Sequence, residues 1–115
     1  MRSGEINKDG ASETRIVHWI IAQLRARYPR GLWERQNVVA MEAGKDRFIK
    51  AGTKGQADIR GLYRGFYFEL EVKKPGGVQS EVQHEREAKI MDAGGYYAVI
   101  HSPSEAFAIV DGVVG

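Results

Sequence analysis

The amino-acid sequence predicts an α/β domain in the order helix, three strands, helix, strand, helix. Three patterns predict it. Ile16, Val17, Ile20, Ile21, Leu24 and Tyr28 recur at helical spacing. Phe66 to Lys73 alternates apolar and polar residues, the period of a strand with two different faces. Ser80-Glu81-Val82-Gln83 and Ser102-Pro103-Ser104-Glu105 have the spacing of capping boxes, each able to open a helix.

Taken in order, Ser12 caps the first helix, and Pro29 and Gly31 end it. Leu32 to Ala40, with Trp33, Val38 and Val39, reads as a short extended run, and the more polar Met41 to Gly52 as an irregular connection. Gly52-Thr53-Lys54-Gly55 is a turn-rich stop. Ala57 to Tyr63 is the next strand, and Tyr63-Arg64-Gly65 reverses it into a hairpin. In the second arm Phe66, Phe68, Leu70 and Val72 take one face, while Tyr67, Glu69, Glu71 and Lys73 take the other. Lys74-Pro75-Gly76-Gly77 breaks the strand. The helix opened by Ser80 reaches Ala93, where Gly94-Gly95 stops it, and Tyr96 to His101 is the last strand. A short C-terminal helix, with Pro103 at its first position, carries Ala106, Phe107, Ile109 and Val110.

A chain of 115 residues is one domain's worth, read here as a loose tail over 1–11 and a single domain over 12–115. The 43% hydrophobic and 28% charged fractions are those of a globular protein, and no apolar run approaches the roughly 20 residues of a membrane span. Met1 to Gly10 lacks the apolar stretch of a secretory signal. Without cysteine there is neither a disulfide framework nor a thiolate metal site, so any metal is held by oxygen or histidine. These features suit a cytoplasmic protein, in the host cytoplasm if it is phage-encoded. A net charge of +2 permits binding to a polyanion without demanding it.

The chemistry concentrates on the hairpin. Glu71 and Lys73 project from one face of the sheet, and the reversal at Tyr63 to Gly65 can bring Asp58 beside Glu71. Two adjoining carboxylates repel, and a hard divalent cation relieves that repulsion, because Mg²⁺ favours one or two carboxylates with waters and phosphate oxygens. Asp58 and Glu71 are therefore expected as metal ligands, with the Val72 carbonyl as a third. Lys73 then steadies the attacking water or the phosphate. Glu13 shares the helical stripe of Ile16, Val17 and Ile20 and is expected to face inward as a further ligand. Glu69 shares the face of Glu71 but is read as a solvated strand carboxylate.

Ala57-Asp58 followed by Glu71-Val72-Lys73, in this order of elements, resembles the PD-(D/E)xK nuclease superfamily, with Ala57 where that pattern has proline. Gly52 to Asp58, the hairpin, Phe68 to Pro75, Gln83 and Gly94 to Ser102 resemble more narrowly the virus-type replication-repair nuclease domain, VRR-NUC. The resemblance covers most of Glu13 to Val110. It implies a restriction-endonuclease-like αβββαβ core with a mixed central sheet flanked by helices. It also implies a Mg²⁺- or Mn²⁺-dependent endonuclease in which Glu13, Asp58 and Glu71 are acidic ligands, Lys73 is the catalytic lysine and Gln83 is an active-site glutamine. Stand-alone relatives of this type act as homodimers and resemble Holliday-junction resolvases, which implies branched or four-way-junction DNA as substrate in phage or bacterial replication and repair. The alternative is a nucleic-acid-binding module that keeps the fold without cutting. The same metal chemistry also serves RNA.

Other features have plainer readings. Gln83 is explained equally by the capping box and by a place in the site. His18, His84 and His101 lack the spacing of a two-histidine metal site, and His84 is the one expected near DNA. Arg47, Lys50, Lys54, Arg60, Arg64 and Lys74 surround the hairpin in sequence and can hold phosphates or stand as solvated charges. Trp19, Trp33, Phe48, Tyr63, Tyr67, Tyr96 and Tyr97 are expected mostly in the core or an interface.

Overall fold

The apolar stripe of the first helix becomes α1, Gly10–Arg27, with Val17, Ile20, Ile21 and Leu24 buried along it. The computed structural model describes residues 10–36, 40–42, 48–50 and 54–115, with the backbone alone at 10–12, 40–42 and 48–50. Helix α1 begins two residues ahead of Ser12, so that serine lies within the helix rather than capping it. Ala11, the residue type that best tolerates helical backbone, extends the helix upstream.

Strand β1 covers Leu32–Arg35 and is tied to α1 through Arg25, whose Nε and Nη2 donate to the Trp33 carbonyl at 3.0 and 2.8 Å. It is shorter than expected, and positions 37–39 of the predicted run lie outside the described residues. The stretch read as an irregular connection contains β2 (Ala40–Glu42) and β3 (Phe48–Lys50), which pair antiparallel as a separate two-stranded sheet. Strands of three residues are too short to show a period in sequence.

Strand β4 (Ile59–Tyr63) and β5 (Phe66–Val72) form the predicted hairpin, registered from Tyr63↔Phe66 to Ile59↔Leu70. Its two-residue turn has positive φ at both Arg64 (55°) and Gly65 (86°), the pattern whose twist matches the flanking strands. The strand begins at Ile59 rather than Ala57 because the Ala57 N–H is taken by the Glu69 carboxylate, at 3.2 Å. Helix α2 (Glu81–Asp92) then crosses over to β6 (Tyr96–Ile100), which pairs parallel with β5. The four-stranded sheet has the order β1-β4-β5-β6 and is mixed. Helix α3, Pro103–Val114, starts with proline as expected but is as long as α2. Ser102 caps it by accepting from the Glu105 N–H, whereas the Glu105 carboxylate turns to the His101 backbone and ring, so the second capping box is only half made.

Helices α1 and α3 cover one face of the sheet. Ile20, Leu24, Trp33, Ile59, Phe68, Leu70, Ile100, Ala106 and Val110 form the main core there. Trp33 fits because Gly61 has no side chain: a Cβ at that position would lie 2.2 Å from the indole ring. Trp19 stands apart from the other aromatics at 54% exposure and is not a core residue. Helix α2 covers the opposite face over a smaller cluster of Ala57, Ile90 and Tyr97 with Tyr67 against it. This second layer buries the polar face of β5.

Candidate active site

Register between β4 and β5 ends at Ile59↔Leu70, and just beyond it the two strands exchange side-chain bonds in place of ladder bonds. The Val72 N–H donates to Asp58 Oδ2 at 2.9 Å. In return the backbone N–H of Asp58 donates to the Glu71 carboxylate. Lys73 is fixed by its own N–H to the Ile100 carbonyl at 3.0 Å, and its Nζ lies 3.6 Å from Glu71 Oε2. Because a strand residue sends its N–H and C=O to the same side, the Val72 carbonyl leaves β5 on the side of Asp58. Asp58, Glu71, Val72 and Lys73 thus meet in one cleft of about 430 Å³, which Glu13 and Arg35 also line.

Burial raises Asp58 above the ordinary aspartate value, against the Val72 N–H and the charges of Arg35 and Lys73 that favour ionisation; Glu13 adds to the rise. Glu71 is pushed up to about 7, first by burial and then by the charge of Asp58, with Lys73, Gln83 and the Asp58 N–H acting the other way. Two acids that resist ionising together are the donor set a hard cation satisfies. Among the described residues no group of three His, Cys, Asp or Glu side chains is gathered as a ready metal cage. Glu13 lines the same cleft from α1, as its stripe predicts, but is solvent-exposed at the rim rather than buried. A helix start lies at the edge of the packed layer, so a position on the core stripe there still reaches water. Asp58 and Glu71 remain as the close pair, and two carboxylates suffice for Mg²⁺ when waters and phosphate complete the shell.

At the start of α2, Gln83 both closes the cap and touches Glu71. Its Oε1 accepts from the Ser80 N–H at 3.0 Å and its own N–H donates to Ser80 Oγ at 3.1 Å, closing the capping box, while its side chain also hydrogen-bonds Glu71. One turn on, Arg86 forks onto Glu69 through Nε and Nη2 at 3.2 and 2.6 Å. Glu69 is fully buried and not the solvated carboxylate its pattern predicts, since it also accepts from Tyr67 Oη and the Ala57 N–H. Burial alone would raise it, but Arg86, Tyr67 and Ala57 outweigh burial and hold it below the ordinary glutamate value.

The remaining cations separate by position. Lys74 lines the cleft, and Lys54 lies in a second depression beside α2 with Arg86 and Lys89. Arg60 pairs with Glu34 at 2.9 Å, and Arg64 stacks over Tyr63. Arg47 lies outside the described residues, as does the side chain of Lys50. His84 is exposed on α2. Arg35 and Arg86 were not singled out by the sequence, and Glu69 was placed on the right face but read as solvated. For Arg35 a signal exists, since it lies two residues from Trp33 on β1 and so shares its face toward α1.

No protein-family model matches this sequence, and no curated protein matches it. Among solved structures, one described as a VRR_NUC domain aligns with a TM-score of 0.55 at 15% identity, covering 82% of this chain and 92% of that one. At that identity the likeness concerns the fold. The mixed sheet, the crossover α2 and the flanking helices are those of a restriction-endonuclease-like α/β domain, and the chain has the fold of a VRR-NUC domain.

Proposed function

We propose that this chain is a divalent-metal-dependent endonuclease hydrolysing DNA phosphodiester bonds. The observation that carries the reading is the Asp58–Glu71 pair, the first half-buried and the second buried, beside Lys73 where the β4–β5 register ends, on a VRR-NUC fold. Asp58, Glu71 and the Val72 carbonyl are the groups to hold Mg²⁺ or Mn²⁺, with Glu13 joining from the rim. The ion supplies Lewis acidity toward water and phosphate. The chain's own groups do the rest. Lys73, oriented by Glu71, holds the attacking water or balances charge on the phosphate oxygens. Gln83 keeps the Glu71 carboxylate turned to the cleft, and the Val72 N–H does the same for Asp58. The VRR-NUC resemblance extends the reading to branched or four-way-junction DNA, cut by a homodimer in phage or bacterial replication and repair, in the cytoplasm.

The test incubates the protein with duplex, flap, splayed and four-way DNA, and with matching RNA, in Mg²⁺, Mn²⁺ or EDTA. The expected result is cleavage of branched DNA in either metal, none in EDTA, none by Glu71→Ala, and a fall of about 10²- to 10³-fold in kcat for Lys73→Ala. Binding without cleavage of any substrate leaves the non-cutting module as the correct reading. Cleavage that survives Glu71→Ala overturns the assignment of the site.

A further inference from the structure

Arg35 ends β1 opposite Ile59 in the β1–β4 register, beside the Gln36 N–H that binds the Asp58 carbonyl at 2.8 Å. Two residues on from the buried Trp33, it shares that residue's face and so reaches the cleft from the α1 side of the sheet, while Gln83 meets Glu71 from the α2 side. The side chain is half-buried, and its Nε is sealed from solvent with no hydrogen-bond partner among the described residues.

The neighbouring cations differ. Arg25 is spent on the Trp33 carbonyl, Arg86 on Glu69, and Lys73 faces Glu71. Arg35 lines the same cleft as Asp58 without an ion pair to it among the described residues, yet its charge acts on Asp58 ahead of that of Lys73. A buried donor without an acceptor is costly, and a guanidinium offers its donors in a planar fork that fits phosphate oxygens. Three acids and three cations line the cleft, so a divalent ion added to it leaves positive charge to attract an anion.

We propose that Arg35 is the phosphate anchor of this cleft, its guanidinium holding a non-bridging oxygen of the DNA phosphodiester from the α1 side. The proposal rests on the nuclease reading of the same site, and deepens it by naming the group that grips the substrate.

The experiment has two readouts. Duplex DNA binding is measured across a salt series in Ca²⁺, and cleavage of the best substrate is measured in Mg²⁺, for the wild type, Arg35→Gln and Arg35→Lys. Loss of one phosphate contact lowers the slope of log K against log salt by about 0.9 in Arg35→Gln. Arg35→Lys keeps the slope, because the charge remains, but cuts more slowly because the fork is gone. Where Arg35→Gln does not fold, Arg35→Lys decides by that split between slope and kcat. An unchanged slope in a folded Arg35→Gln that cuts at the wild-type rate overturns the anchor and leaves the nuclease standing. A lowered slope with a wild type that cuts nothing supports the anchor and overturns the nuclease. A wild type that binds no DNA overturns both.

Discussion

Glu69 carries a negative charge with no solvent exposure, two residues from a second buried acid. Such a charge survives only with full compensation, which Arg86, Tyr67 and the Ala57 N–H provide. Arg86→Leu leaves that carboxylate unpaired and is expected to cost about 3 kcal/mol, read as a lower denaturant midpoint. A Glu69→Leu/Arg86→Leu double variant should recover much of the loss, since it removes the charge and not only its partner; a double variant as weak as the single would show that Arg86 acts by packing instead. Gly61→Ala is a second test at this scale. The added Cβ falls 2.2 Å from the Trp33 ring, which is 1% exposed and has nowhere to move. A loss of about 1–3 kcal/mol is expected, with Trp33 fluorescence as a second reporter. The contrast between the two glutamates shows what is legible at one residue. Asp58, Glu71 and Lys73 could be placed together because a hairpin and a period of two fix their neighbours. Glu69 has the same pattern as Glu71, and its burial depends on Arg86 from a distant helix, which no local pattern encodes.

Helix α2 joins its cap to the site, since Gln83 closes the capping box with Ser80 and touches Glu71 at the same time. Residues 83, 86 and 90 follow one another along a single face of α2 and meet Glu71, Glu69 and the Tyr97 cluster in turn. Ser80→Ala and Ser102→Ala each remove a serine cap, and each is expected to lower stability by about 1 kcal/mol. Only Ser80→Ala should also lower kcat, because fraying the first turn of α2 releases the amide over Glu71. Equal activity in the two variants would show that Gln83 holds Glu71 without help from its cap. At this scale the sequence was informative where elements carry their own signals. The hairpin turn, both serine caps and the period of α1 all appear in the structure. β2 and β3 escaped notice because three-residue strands show no alternation, and the start of α1 was placed late because Ser12 carries a cap signal that the helix runs past.

Across the molecule, tyrosine hydroxyls join the end of α1 to α3 and brace the buried acid of β5, and they are expected to set its alkaline limit. Tyr28 donates to Asp111 Oδ1 at 2.7 Å and so joins the end of α1 to α3, and Tyr67 donates to Glu69 beneath α2. Burial, and then the hydrogen bond to Asp111, raise Tyr28 from 10.0 to about 12. Burial and the bond to Glu69 raise Tyr67 likewise to about 12, and burial pushes Tyr97 upward as well. In each case the fold favours the protonated phenol. The stability they contribute is therefore complete below the unfolded value near 10 and is lost as pH rises through the folded value near 12. Denaturant midpoints measured from pH about 9 to about 12 should fall along the wild-type curve, with tyrosinate absorbance rising over the same interval. Tyr28→Phe cannot donate to Asp111 and should start less stable at the lower pH, yet lose less over the alkaline interval, because one of the phenols that resists ionisation is gone. An alkaline loss of the same size in Tyr28→Phe would show that the link between α1 and α3 does not set this limit.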